Sequence, residues 1–164
     1  FMNKIEIGKL AQKLVKECEK QERIVATAES CTGGMLSSYI TSISGSSNIF
    51  DRGFITYSNE AKISIINVKK KTIDQFGAVS KETAIEMAEG TIKNSLASLA
   101  ISITGVAGPG GGTSVNPVGT VYIASIIDDK KDVKKFNFPD QDRDFIRQAS
   151  VYEALKLLLH ALKS

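Results

Sequence analysis

Arg23-Ile24-Val25-Ala26-Thr27-Ala28-Glu29-Ser30-Cys31-Thr32-Gly33-Gly34 decides the fold. The first half is dominated by β-branched and small apolar residues, the composition of a strand buried on both faces. The second half breaks into hydroxyls and paired glycines, and Met35, Leu36, Tyr39 and Ile40 then open a helical pattern. A buried strand running through a glycine turn into a helix is the building unit of an α/β domain.

Upstream, Ile7, Leu10, Leu14 and Cys18 recur at spacings of three and four. Lys9, Lys13, Lys16, Glu17 and Glu19 take the other face, which predicts an amphipathic helix. Downstream, Gly45-Ser46-Ser47-Asn48 reads as a loop, residues 53–57 as a strand, and Asn59 as the N-cap of a helix with Glu60 just inside it. Ser80 caps a predicted helix over 81–98, residues 99–104 read as another buried strand, and 105–115 as a glycine-rich loop. Residues 118–127 and 133–138 read as strands joined by the turn Asp128-Asp129-Lys130-Lys131. Phe145, Ala149, Tyr152, Leu155, Leu159 and Leu162 mark the inner face of a last helix. The order predicts an α/β fold, a three-layer α/β/α sandwich with a mixed, mostly parallel sheet, as one domain over 1–164 with Met2 as its native start.

Hydrophobic residues make up 42% and charged residues 24% of 164, the balance of a globular soluble domain. No apolar run approaches the roughly 20 residues that span a bilayer, and no signal-peptide pattern opens the chain. A net charge of +3, dispersed along the sequence, gives no argument for nucleic acid. Two cysteines, Cys18 and Cys31, make no disulfide framework, so a reducing cytoplasm is the expected compartment. With His160 as the single histidine, a His-based zinc site and a Ser-His-Asp triad both lose their basis.

Ligands collect at the carboxyl ends of strands in open α/β sheets. Three segments carry small or hydroxylated residues there: 29–34, 57–62 and 104–112. Parallel strands would open all three onto one edge. Ser30 stands where a strand turns into a helix, either as a nucleophile beside backbone N–H donors or as a helix N-cap. Cys31 is a rival nucleophile or a small buried residue. A serine nucleophile needs a base, and lysine substitutes for histidine in Ser-Lys hydrolases. Burial or a nearby positive potential would lower a lysine pKa, and Lys62 falls in the first turn behind Asn59, where a helix dipole disfavours a cation. Lys69, Lys70 and Lys71 read as a solvated charge run. Tyr57, five residues before Lys62, either relays a proton or packs its ring at the strand end. Five glycines between Gly105 and Gly112 satisfy neither the P-loop nor the dinucleotide fingerprint, and the loop leads through Asn116-Pro117 into a strand. A backbone lying close to a ligand remains, with Thr104 and Thr113 offering hydroxyls; a plain surface loop is the other reading.

Residues 28–34, 53–59, 104–111 and Pro117-Val118-Gly119-Thr120-Val121, in this order, resemble the signature of the CinA C-terminal domain family, whose stand-alone enzymatic members are nicotinamide-nucleotide amidohydrolases. The resemblance runs from about Leu10 to Leu162, departing at Asn116, where many members carry lysine, and at Ile65-Ile66-Asn67-Val68. It implies the short form of the family and hydrolysis of the carboxamide of nicotinamide mononucleotide (NMN) to nicotinate mononucleotide and ammonia, without metal or cofactor. It places the nucleophile on Ser30, the lysine on Lys62 and the tyrosine on Tyr57. Lys62 then takes the Ser30 proton directly or through Tyr57, and Thr32, Gly33 and Gly34 surround the reacting carbonyl, with the amides of Gly33 and Gly34 holding the oxyanion. The ribose phosphate is expected along Thr104, Gly105, Ala107 and Gly108 and along Gly45-Ser46-Ser47, with Arg143 as counter-charge. A homodimer follows from the same resemblance. The alternatives are a nucleotide-binding or regulatory module without turnover, linked to competence or DNA damage, and a Ser-Lys amidase for another small amide. Direct DNA binding lacks a basic face with interleaved aromatics.

Overall fold

A computed structural model describes residues 3–163, so Met2 lies outside the described residues. Five strands form one sheet in the order β2-β1-β3-β4-β5. They are β1 (Val25–Glu29), β2 (Phe50–Ile55), β3 (Leu99–Gly105), β4 (Thr120–Ile127) and β5 (Lys130–Asn137). β2, β1 and β3 are mutually parallel, β4 is antiparallel to β3 and β5 to β4, so the sheet is mixed and four of its five strands share one direction. β1 and β3 at the centre are buried almost throughout, as their apolar runs demand.

Helices cover both faces, giving the three-layer α/β sandwich. On one face lie α1 (Lys4–Lys20), α2 (Met35–Thr41) and α6 (Arg143–Ala161), over a core that includes Leu14, Leu36, Ile101, Ile123 and Leu155. On the other lie α3 (Asn59–Ile66), α4 (Lys70–Phe76) and α5 (Lys81–Lys93). There Ala84 and Ala88 of α5 meet Ala124 of β4, small residues that let helix and sheet approach closely. α6 buries Leu155, Leu157, Leu158 and Leu159. At roughly 1.5–3 kcal/mol per buried leucine, that fixes the carboxyl-terminal half of the helix on the core.

Several boundaries differ from the sequence reading. α3 is capped by Ser58, whose Oγ accepts from the Ala61 N–H at 3.0 Å, so Asn59 is its first helical residue. α5 stops at Lys93 instead of Ser98, because the Asn94 side chain donates to the Gly90 carbonyl at 2.7 Å and ends the helix. β5 begins at Lys130, leaving Asp128-Asp129 as the turn. α4 emerges from what reads as a solvated lysine run. Its buried side is little more than Thr72 and Ile73, and Glu86 of α5 fixes it by accepting from Thr72 Oγ1 at 2.7 Å and from the Lys69 N–H at 2.8 Å.

Candidate active site

Because β1, β2 and β3 run parallel, their carboxyl ends reach the same edge of the sheet. The loops behind them enclose an open cleft of about 270 Å³, lined by Ser30, Tyr57, Lys62, Thr104, Arg143 and residues 105–108 among others. α3 adds Asn59, which the sequence placed only as a helix cap, and the α4–α5 connection adds Ala78 and Val79, which carried no sequence signal.

At the floor of the cleft, Lys62 Nζ lies 3.0 Å from Ser30 Oγ and donates to the Thr56 carbonyl at 2.9 Å. Lys62 is 1% exposed and Ser30 8%. Neither hydrogen-bond partner of the amine is a carboxylate, so burial is uncompensated and pushes the Lys62 pKa down to about 8. Of the two causes expected from the sequence, burial and the positive end of a helix dipole, burial is the one that acts on Lys62. Burial acts on the neighbouring thiol in the opposite sense and raises Cys31 to about 11. At neutral pH Cys31 is therefore a protonated thiol, and Ser30 is the better-activated nucleophile.

The turn that presents Ser30 is built by Glu29. α2 begins behind Gly34, which has no side chain to cap it. The fully buried Glu29 carboxylate replaces a cap, accepting from the Leu36 and Ser37 N–H groups at 2.9 and 3.0 Å and from Ser37 Oγ at 2.7 Å. To bring α2 back over Glu29 the chain takes consecutive left-handed residues, Gly33 at φ +57° and Gly34 at φ +95°, which explains the glycine pair. For the oxyanion role expected of these glycines, the structure shows one amide occupied and neither residue in the cleft lining: the Gly33 N–H donates to the Ser30 carbonyl at 3.0 Å. Thr32 is also fully buried behind the turn and outside the lining.

Gly45, Ser46 and Ser47 are corrected as well. They follow α2 and precede β2, so they sit at the amino-terminal edge of the sheet, where the Ile49 carbonyl accepts from the Val25 N–H. A loop from helix to parallel strand always returns to that edge, opposite the cleft.

Tyr57 and Arg143 meet at the mouth. Tyr57 is 61% exposed, and its hydroxyl accepts from Arg143 Nη2 at 3.0 Å, not from Lys62 or Ser30. Arg143 Nη1 donates to the Gly108 carbonyl at 2.8 Å and so joins the glycine-rich loop to Tyr57. Thr104 Oγ1 donates to the Ala78 carbonyl at 2.8 Å. Asn116 holds the far end of the loop by donating from Nδ2 to the Val79 carbonyl at 2.8 Å. The cleft lining carries two cationic side chains, Lys62 and Arg143, and no carboxylate, which suits an anionic ligand. His160 lies elsewhere, in a depression between α1, β5 and α6.

Comparison with known proteins matches residues 7–162 to the CinA C-terminal domain. The chain belongs to the CinA C-terminal domain family. A relative from Clostridium botulinum (strain Langeland) is 51% identical over 144 residues, 88% of this chain and 35% of its own length. One from Caldicellulosiruptor saccharolyticus is 51% identical over 134 residues, 82% of this chain and 32% of its own. The chain thus spans about a third of these curated relatives, whose names refer to competence-damage induction and state no reaction. The crystal structure of a competence/damage inducible protein from Agrobacterium tumefaciens superposes with a TM-score of 0.94 at 41% identity, covering 97% of this chain and 96% of that one. A CinA superfamily protein from Escherichia coli gives 0.92 at 31% identity, covering 98% and 94%. Among the described residues, no helix of this CinA-family chain is long and apolar enough to cross a membrane.

Proposed function

We propose that this CinA-family domain hydrolyses the carboxamide of NMN to nicotinate mononucleotide and ammonia by a Ser-Lys mechanism. The observation that carries the reading is the buried contact of 3.0 Å between Lys62 Nζ and Ser30 Oγ. A lysine depressed to about 8 is neutral often enough near pH 7 to act as a general base. The amine takes the Ser30 proton directly, since Tyr57 is committed to Arg143. Ser30 Oγ attacks the carboxamide carbon, and the oxyanion is assigned to the amides of Ala107 and Gly108, which line the cleft and make no main-chain hydrogen bond, unlike that of Val106. The protonated lysine delivers its proton to the departing ammonia, and the amine then activates water against the acyl-serine. Arg143, at the mouth, is the counter-charge for the phosphate.

Incubation with NMN tests this, with ammonia and nicotinate mononucleotide measured together. Turnover that disappears in Ser30→Ala supports the assignment. Tight binding of NMN without ammonia release assigns the cleft to a nucleotide-binding regulatory module instead.

A further inference from the structure

The Ser30 turn is also gripped from above by a residue outside the cleft. Arg147, one helical turn beyond Arg143 on α6, donates from Nε to the Cys31 carbonyl and from Nη2 to the Thr32 carbonyl, each at 3.1 Å. Both bonds cross more than a hundred residues of sequence. We infer that Arg147 is a positioning residue for Ser30: its guanidinium fixes the orientation of the two peptide planes behind the nucleophile and thereby holds Ser30 Oγ against Lys62.

In a planar trans peptide the C=O and the following N–H point in opposite directions. With the carbonyls of Cys31 and Thr32 turned toward α6, the amides of Thr32 and Gly33 must turn away from it. The Gly33 amide accordingly reaches the Ser30 carbonyl at 3.0 Å and closes the turn. The Ser30 N–H is held by the Ile103 carbonyl at 3.0 Å, and Glu29 holds the start of α2. Three anchors therefore bracket Ser30, and Arg147 is the one that comes from a separate layer of the fold. The Thr32 carbonyl also accepts from the Met35 N–H at 3.0 Å, so the 31–32 plane is the one that depends on Arg147; without that bond the plane can rotate, the turn loosens, and Oγ leaves its contact with the amine. A planar fork meeting two carbonyls is a task lysine cannot duplicate, since an ammonium is a point donor. A would-be Cβ on Gly33 stands 3.7 Å from Arg147 Nη2, ordinary contact, so the guanidinium fits this turn without depending on the glycine for space.

The inference rests on the hydrolase reading, and its test separates the two. Wild type, Arg147→Ala and Arg147→Lys are compared in NMN turnover and in the rate at which a fluorophosphonate probe labels Ser30, a reaction that needs the activated serine but not NMN. Arg23→Ala, which removes a surface ion pair with Asp128, serves as a control for lost stability. The expected result is a fall of about 10²-fold in both kcat and labelling rate for Arg147→Ala, with KM little changed. A smaller fall is expected for Arg147→Lys, and partial rescue of Arg147→Ala by millimolar methylguanidine. The acid limb of the pH profile should stay near 8, because Lys62 owes its pKa to burial. Should Arg147→Ala fail to fold, Arg147→Lys and its rates carry the test. Full labelling and turnover in a folded Arg147 variant overturn the inference, as does loss without rescue that merely follows melting temperature. Labelling of wild type without NMN turnover overturns only the substrate assignment, and the Arg147 effect is then read on labelling alone.

Discussion

The main-chain carbonyl of Thr56 accepts a hydrogen bond from the Lys62 amine at 2.9 Å, while Ser30 Oγ lies 3.0 Å from the same nitrogen. The sheet dictates this arrangement. Thr56 continues the β1–β2 ladder, its N–H donating to the Glu29 carbonyl at 3.0 Å, so its own carbonyl is registered beside the residue that follows Glu29. A neutral amine has two N–H bonds and one lone pair. With one N–H committed to Thr56, the lone pair is available to the Ser30 hydroxyl.

Activity should rise with pH through the Lys62 titration. The base works only when uncharged, so kcat/KM is expected to increase about tenfold per pH unit below a midpoint near 8 and to level off above it. At pH 7 about a tenth of the enzyme then carries a free base, against about 0.03% for a lysine at its usual 10.5. A pH–rate profile from 6 to 10 checks this.

Lys62→Met should abolish turnover and alter the pH dependence of stability. Between about 8 and 10.5 the unfolded chain holds a proton that the folded Lys62 has lost, so wild-type stability gains with rising pH over this window. Methionine cannot titrate. The stability difference between wild type and variant should move by about 3 kcal/mol in favour of wild type from pH 7 to pH 11. Urea unfolding at matched pH values reads the difference, and a constant offset would show that Lys62 is not depressed.

Arg143→Gln should act on binding. Its guanidinium sits at the mouth on Gly108 and Tyr57, away from the Ser30–Lys62 pair. KM for NMN should rise about 10- to 100-fold with kcat changed little, the size expected for losing a charge-assisted phosphate contact. Nicotinamide riboside, which lacks the phosphate, should show no such penalty.

Gly90→Ala should destabilise the protein by about 2 kcal/mol or more. A Cβ at this position in α5 would collide with the carbonyl of Ile66, the last residue of the helix that carries Lys62. Thermal unfolding measures the loss, and turnover should fall along with it as α3 shifts.

Much of this was legible in the sequence because burial writes itself into composition. The runs at 25–28 and 99–104 could only be central strands, and the single histidine directed attention to Lys62. Ser30, Lys62, Thr104 and the glycine loop accordingly meet in one cleft. What escaped was set by direction and by long-range contact. Gly45–Ser47 has the composition of a ligand loop but lies between a helix and a strand, and that placement alone was enough to send it to the opposite edge. Gly33 and Gly34 were read as oxyanion donors, whereas their left-handed backbone serves the return of α2 onto Glu29. Arg147 has no local motif. Its spacing of four from Arg143 on the same helix was the available signal, and its partners stand more than a hundred residues away.

The central claim is a Lys62 amine that gives up its proton near neutral pH in contact with Ser30, and titration of the Lys62 side chain by NMR, with carbon-13 at Cε, measures it without any substrate. A midpoint near 8 is the result this account predicts. A midpoint at the ordinary 10.5 would contradict it, because the lysine beside Ser30 would then be a fixed cation and no base.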